Sequence, residues 1–203
     1  IIFDLGGVII NLDFNRTTEA FMKLTGLSHE AVSAKYFRPG VFQDFEKGLI
    51  SEAAFRTGVN QLFDTDLSDQ EIDDAWNAML LDLPVERLQF IQALRASYQV
   101  LILSNTNAIH EKAFNKTVFK VSGEKSLYPF VDHVYFSHEL NLRKPDLNIY
   151  QKVLKLSGAK ASESLFLDDT ISNLEGAALA GIQTMHIPHP ERIYKLKAFI
   201  DGQ

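Results

Sequence analysis

The chain has 203 residues, with 20 Lys and Arg residues against 26 Asp and Glu residues, and no Cys. This length fits one domain, or one domain with a small insertion, and a hydrophobic share of 46% is ordinary for a globular protein. The net charge of −6 argues against a nucleic-acid-binding face, the lack of Cys excludes disulfides and thiolate metal sites, and no apolar run is long enough to span a membrane. We therefore expect a cytoplasmic protein without nucleic-acid or membrane partners, present as a monomer or a weak homodimer.

The first segment is an apolar run that stops at two glycines. Residues 1–5 predict a buried strand, and Gly6 with Gly7 predicts the tight turn that follows it. Asp4 therefore lies at the carboxyl end of the first strand.

The stretch from residue 14 to residue 83 has a helical pattern throughout. Gly26 predicts the end of one helix, Ser51 predicts the start of another, and Ser68 with Glu71 forms a capping box. We expect a helical insertion here. This stretch holds 12 acidic and 6 basic residues, whereas the rest of the chain has 14 of each, so the insertion carries the whole net charge.

After Pro84 the pattern alternates between strands and helices. The predicted elements are a helix over 85–97, strands over 100–103, 133–136, 165–167 and 182–187, a helix from Asp146 to Gly158, and a helix that begins with a capping box of Ser172 and Glu175 and ends at Gly181. Strands that alternate with helices predict an α/β fold with a doubly wound parallel sheet. Ligands bind to such sheets outside the carboxyl ends of the strands.

Polar residues gather at those predicted carboxyl ends. They are Asp4 after the first strand, Ser104 and Asn105 after the second, Asp168 and Asp169 after the fourth, and Lys144 at the entry to a helix. Three ionised carboxylates repel one another unless a cation lies between them, and oxygen ligands without His or Cys suit Mg²⁺. A nearby Lys suits a phosphoryl group, and a carboxylate can act as a nucleophile. Each residue alone is more typical of a turn, but the ordered set predicts metal-assisted phosphoryl transfer.

Four segments in order resemble the four motifs of the haloacid dehalogenase superfamily of hydrolases. They are FDLGGV at 3–8, LSNTN at 103–107, RKP at 143–145, and FLDD at 166–169 with Asn173. The first segment, together with DFNR at 13–16, is similar to the subgroup that contains bacterial α-D-glucose-1-phosphate phosphatase. The resemblance implies a Rossmann-like core built from residues 1–13 and 84–203, with residues 14–83 as a small helical cap.

The resemblance also implies a role for each residue of the site. Asp4 would be the nucleophile, and Lys144 would offset charge between Asp4 and the phosphate. The remaining roles are phosphoryl binding by Ser104 and Asn105, and Mg²⁺ binding by Asp4, the Gly6 carbonyl, Asp168 and Asp169. The implied activity is Mg²⁺-dependent hydrolysis of a small phosphate ester, typically a sugar phosphate, through an aspartyl-phosphate.

The sequence departs from the family pattern at Gly6, where most family phosphatases have a second Asp that protonates the leaving group. Loss of a general acid typically costs about 10²–10⁴-fold in rate. Three explanations stay open: the cap supplies a substitute, the leaving group departs readily, or the protein is a catalytically weak homologue that binds phosphate ligands. Asp13, Arg16 and Glu46 are cap candidates, although a purely structural role for each is equally expected. A metal-independent 2-haloacid dehalogenase that uses Asp4 is a further alternative.

Overall fold

The computed structural model describes residues 1–38 and 40–202. A five-stranded parallel sheet lies at the centre of this part of the chain. Its strands are β1 (Ile2–Phe3), β2 (Leu101–Ser104), β3 (His133–Phe136), β4 (Leu165–Asp168) and β5 (Gln183–His186). They are arranged in the order β3-β2-β1-β4-β5, so β1 is the central strand and two strands lie on each side of it. The predicted α/β fold with a doubly wound parallel sheet is confirmed.

Helices surround the sheet and fill the connection between β1 and β2. They are α1 (Phe14–Thr25), α2 (His29–Phe37), α3 (Val41–Glu46), α4 (Glu52–Phe63), α5 (Asp69–Asn77), α6 (Val85–Leu94), α7 (Ala108–Ser122), α8 (Ser137–Leu140), α9 (Leu147–Ser157), α10 (Ile171–Leu179) and α11 (Leu196–Asp201). None of the helices within the described part of the chain has both the length and the apolar character needed to cross a membrane.

The two faces of the sheet bury separate apolar clusters, because successive strand residues point to opposite faces. Phe3 and Ile102 belong to one cluster, which α6, α7 and α11 cover. Their neighbours Ile2 and Leu101 belong to the other cluster, which α9 and α10 cover. The result is a three-layered α/β/α arrangement in which the strand ends are left open at one edge.

Helices α1 to α5 pack around a third cluster that is rich in aromatic side chains. The rings of Phe45 and Phe55 stack with their centroids 4.2 Å apart, and Trp76 is fully buried among them. Ile109 of α7 also joins this cluster, so the five helices rest on the sheet-bearing part through α7. The domain boundaries given above, with residues 14–83 as a cap, stay a prediction.

Several of the predicted helix ends are confirmed, but the helix predicted over 85–97 ends at Leu94, and one predicted capping box is absent. Gly26 ends α1 with a left-handed backbone, and the side chains of Ser51 and Ser68 cap α4 and α5. The capping box of Ser172 and Glu175 is not formed, because α10 already begins at Ile171.

Candidate active site

Three of the predicted site residues lie at the carboxyl ends of neighbouring strands. Asp4 follows β1 directly, Ser104 ends β2 and Asp168 ends β4. Because β1 lies between β2 and β4, these three residues meet at one edge of the sheet with Asp4 in the middle. All three are buried, with 7%, 3% and 0% of their surfaces exposed.

The ammonium group of Lys144 lies between the carboxylates of Asp4 and Asp168. Its Nζ lies 2.7 Å from Asp4 Oδ1 and 2.7 Å from Asp168 Oδ2, and only 1% of the side chain is exposed. Burial alone would lower the pKa of Lys144, but the charges of Asp168 and Asp4 outweigh it and raise the pKa. Lys144 therefore stays protonated, and it acts as a fixed positive charge beside Asp4.

The carboxylate of Asp168 is held from several directions. Oδ1 accepts a hydrogen bond of 2.7 Å from the backbone N–H of Thr170, and the side-chain amide of Asn173 lies 3.1 Å from both oxygens. Lys144 donates to Oδ2. Such complete hydrogen bonding fits a side chain that positions Lys144 and faces away from the open cavity.

Asp169, by contrast, lines the cavity above the strand ends. Burial and the charge of Asp168 raise its pKa. Gly7 makes room for it, because a Cβ on Gly7 would lie 2.3 Å from Asp169 Oδ2 and the backbone φ of Gly7 is +73°. A residue with a side chain would therefore be strained at position 7 and would displace Asp169.

Asn105 binds the backbone of Lys144 through both ends of its side-chain amide. Its Nδ2 donates to the Lys144 carbonyl at 3.0 Å, and its Oδ1 accepts from the Lys144 N–H at 2.8 Å. This pair of bonds ties the loop after β2 to the segment that carries Lys144. Ser104 and Asn105 both line the cavity, and their role in phosphoryl binding stays a prediction.

The acidic residues form a group that fits a divalent cation. One oxygen from each of Asp4, Asp168 and Asp169 lies within 4.8 Å of the other two. Burial and the neighbouring carboxylates Asp168 and Asp169 raise the pKa of Asp4, although Lys144 opposes the shift. Three carboxylates against one ammonium leave excess negative charge, and all the donors are oxygens, so this donor set suits Mg²⁺.

A cavity of about 360 Å³ lies over these residues, and side chains from residues 14–83 line part of its wall. The residues from that stretch that line it include Phe14, Tyr36, Phe42, Gln43, Glu46 and Met79. Glu46 pairs with Arg143, whose guanidinium lies 3.0 Å from Glu46 Oε2. This pair joins the helical stretch to the segment that carries Lys144.

The structure brings every predicted site residue to this cavity or to its floor. Asp4, Gly6, Ser104, Asn105, Lys144 and Asp169 line it, and Asp168 lies behind Lys144. Tyr36 and Gln43 also line the cavity, although the sequence did not predict them there, and Arg143 had no predicted role. The position of Arg143 directly before Lys144 was the one signal that could have identified it.

Comparison with known proteins places this site in a family. The family model of the haloacid dehalogenase-like hydrolases matches residues 1–181. The chain belongs to this hydrolase family. The resemblance seen in the four motifs is thereby confirmed, whereas the narrower similarity to the glucose-1-phosphate phosphatase subgroup stays a prediction.

Several relatives of this haloacid dehalogenase-like hydrolase resemble it over nearly its full length. D-ribitol-5-phosphate phosphatase of Bacteroides thetaiotaomicron is 34% identical over 91% of this chain and 89% of its own. The HAD family enzyme bt-2542 of the same species, solved with magnesium and inorganic phosphate, has 35% identity and a TM-score of 0.81 over 91% of both chains. A HAD-like family hydrolase from Porphyromonas gingivalis has 29% identity and a TM-score of 0.88, and it covers 100% of this chain and 97% of its own.

Proposed function

We propose that this protein is a Mg²⁺-dependent phosphomonoester hydrolase that acts on a small phosphorylated sugar or polyol through Asp4. One observation carries the proposal: the Lys144 ammonium lies 2.7 Å from Asp4 inside a cavity that Asp169 also lines. A fixed cation beside a carboxylate nucleophile is the arrangement that favours an incoming dianionic phosphate.

Asp4 attacks phosphorus in this proposal and becomes an aspartyl-phosphate. The backbone N–H of Leu5 and the Lys144 ammonium both bind Asp4 Oδ1, each at 2.7 Å, and so fix the orientation of the carboxylate. Lys144 also offsets the charge that collects on the phosphoryl oxygens. Ser104 and Asn105 line the same cavity at the end of β2 and, in this proposal, donate hydrogen bonds to those oxygens.

Asp4, Asp169 and the carbonyl of Gly6 are the groups that would hold Mg²⁺. Asp168 lies further back because Thr170, Asn173 and Lys144 already donate to its oxygens. Bound Mg²⁺ would supply positive charge that offsets the carboxylates and the phosphate oxygens. The complex of the related bt-2542 enzyme with magnesium and inorganic phosphate supports a magnesium site by homology.

The cavity supports a small, hydroxyl-bearing substrate. Its volume of about 360 Å³ falls at the small end of the usual range for ligand pockets. Gln43, Glu46 and Arg143 supply polar groups in its wall, while Phe14 and Phe42 supply apolar surface. A sugar or polyol chain has both hydroxyl groups and C–H faces, and the ribitol-5-phosphate phosphatase relative acts on a substrate of this class.

We expect the wild type to release phosphate from a panel of sugar and polyol phosphates with Mg²⁺ and to stop when EDTA removes the metal. Asp4→Asn should lose turnover, because an amide is a poor nucleophile and is uncharged beside Lys144. Phosphate release measured for both proteins under both conditions tests the proposal.

Asp66→Asn is the matched control, because Asp66 is an exposed carboxylate between α4 and α5. It should behave as the wild type does. Full activity of Asp4→Asn, or of the wild type in EDTA, would refute the proposal. Chloride release from a 2-haloacid without metal would instead support the dehalogenase alternative.

A further inference from the structure

The site has no side chain at position 6 that could exchange a proton with the substrate. Gly6 lines the cavity beside Asp4, and a Cβ placed on it would lie 2.4 Å from Leu12 Cδ1. The side chain of Leu12 therefore occupies the space that a longer residue at position 6 would need. An alkoxide leaving group still requires a proton, which another part of the chain has to provide.

Glu46 is the cap carboxylate that reaches the cavity. Of the three charged residues considered from the sequence, Asp13 binds the Asn15 N–H at the start of α1 and Arg16 is 61% exposed, and neither lines the cavity. Glu46 lines it together with Asp4, and its side chain is only 17% exposed. Of these three residues, Glu46 is therefore the one that is positioned for proton transfer to the substrate.

The backbone of Glu46 is anchored to the sheet-bearing part of the molecule. The Ser137 hydroxyl donates to the Glu46 carbonyl at 2.6 Å and accepts from the Thr106 N–H at 2.9 Å. Asn141 donates to the carbonyl of the next residue, Lys47, at 2.9 Å. These bonds hold the end of α3 against the loop after β2 and against α8, so Glu46 has a fixed position relative to the strand ends.

Arg143 sets the orientation of the Glu46 carboxylate, with its guanidinium 3.0 Å from Oε2. Burial raises the pKa of Glu46 and outweighs the opposing charges of Arg143, Lys144 and Lys47. Tyr36 of α2 lines the same cavity, and burial together with the charge of Glu46 raises its pKa. A buried carboxyl whose pKa is raised is suited to carry a proton at neutral pH.

We propose that Glu46, oriented by Arg143, is the general acid and base of this site, a function for which Gly6 has no side chain. This inference rests on the proposed phosphatase function. As Asp4 attacks phosphorus and the ester P–O bond breaks, the Glu46 carboxylic acid gives its proton to the leaving oxygen. The Glu46 carboxylate then accepts a proton from water as the water oxygen attacks the aspartyl-phosphate. The P–O bond to Asp4 breaks, phosphate leaves, and both carboxyl groups return to their starting states.

The leaving group provides the decisive test. Ribitol 5-phosphate has a poor alkoxide leaving group that needs a proton, whereas p-nitrophenyl phosphate has a good leaving group that does not. Both are mixed rapidly with wild type, Glu46→Gln and Asp13→Asn in the presence of Mg²⁺, and the released alcohol or phenol is followed over the first turnover. Asp13→Asn is the matched control because Asn also caps helices well and Asp13 does not line the cavity.

Glu46→Gln should release the first equivalent of p-nitrophenol as fast as the wild type and then turn over slowly, because the second step lacks its base. On ribitol 5-phosphate the first step itself should slow by about 10²–10⁴-fold. Arg143→Met should give the same dependence on the leaving group in weaker form, a signature that simple loss of structure would not produce. Asp13→Asn should match the wild type on both substrates.

Two results would overturn the role of Glu46 and leave the phosphatase proposal intact. One is wild-type behaviour of Glu46→Gln on ribitol 5-phosphate. The other is an equal loss on both substrates in the first turnover, with thermal unfolding unchanged. Absence of Mg²⁺-dependent turnover in the wild type would instead refute the phosphatase proposal itself, and the role of Glu46 with it.

Discussion

Lys144 is the residue on which the charge balance of the site depends. Its ammonium lies between the buried carboxylates of Asp4 and Asp168, and Asn105 fixes its backbone from a loop 39 positions earlier in the chain. Phe166 lies below it, with the ring centroid 5.2 Å from Nζ. A buried charge network of this kind is stable only while each charge keeps its partners.

Lys144→Met should therefore cost stability as well as activity. Removal of the ammonium leaves two buried carboxylates without a cation partner, and such a loss typically costs about 3–5 kcal/mol. Urea denaturation in EDTA would measure the free energy of unfolding. Lys144→Met/Asp168→Asn should recover part of the loss, because it buries one charge fewer. A change below about 0.5 kcal/mol in the single variant, as for an ordinary surface substitution, would contradict this account.

Much of the site could be predicted from residue types and their spacing. Carboxyl ends of neighbouring parallel strands must meet, which is why Asp4, Ser104 and Asp168 were expected together. The different hydrogen-bonding environments of Asp168 and Asp169 were not predictable, because they depend on which carboxylate Thr170 and Lys144 bind. The same limit applies wherever a contact joins segments that are far apart in the chain.

At the scale of elements, a buried histidine joins α7 to α5. Asn107 caps α7 by accepting from the His110 N–H at 3.0 Å through Oδ1, so its Nδ2 faces His110 Nδ1 at 3.2 Å. The ring Nε2 then donates to the Trp76 carbonyl at 3.0 Å, and the two rings stack 4.6 Å apart. Because Nδ1 faces a donor, the imidazole is neutral, and protonation would break this contact.

His110 should make the fold less stable in mild acid. Burial lowers its pKa from 6.5 to about 4, and the bond to the Trp76 carbonyl opposes the shift only in part. Below pH 6.5 the unfolded chain binds a proton that the folded chain excludes. The stabilisation is therefore complete above that pH and is lost as the pH falls towards about 4, by an amount on the order of 3 kcal/mol.

Urea denaturation of wild type and His110→Gln across this pH range would measure the effect. Subtraction of the two curves isolates His110 from the carboxylates that also titrate in acid. The difference in unfolding free energy should shrink or reverse as the pH falls. If the difference in unfolding free energy between the two proteins stays constant with pH, His110 has the same pKa in the folded and unfolded chain.

Helix ends could be predicted from the sequence where the capping residue is next to the helix end in the chain. Ser68 and Glu71 form the expected capping box, and Gly26 ends α1. The box predicted at Ser172 was wrong because the start of α10 is set from outside the helix, where Asp168 accepts from the Thr170 N–H. The same residue pattern therefore lies inside the first turn of α10.

At the scale of the whole molecule, the net negative charge is concentrated in the stretch that lines one side of the cavity. Residues 14–83 hold 12 acidic and 6 basic residues, and the rest of the chain has 14 of each. The sheet-bearing part of the molecule, which would receive an anionic phosphate, therefore has no net charge. The sequence predicted this uneven distribution of charge and the layered fold. It could not predict the contacts between distant residues that form the cavity wall. Ser137 and Glu46, for example, are 91 positions apart.

In the proposed mechanism, Asp4 carries the phosphoryl group during turnover. The most direct measurement is rapid acid quenching of the enzyme with a phosphate ester labelled in its phosphoryl group, in the presence of Mg²⁺. We expect label bound covalently to Asp4 of the wild type, released by hydroxylamine, and none on Asp4→Asn. Turnover by the wild type without any bound label, or equal labelling of Asp4→Asn, would show that Asp4 does not carry the phosphoryl group.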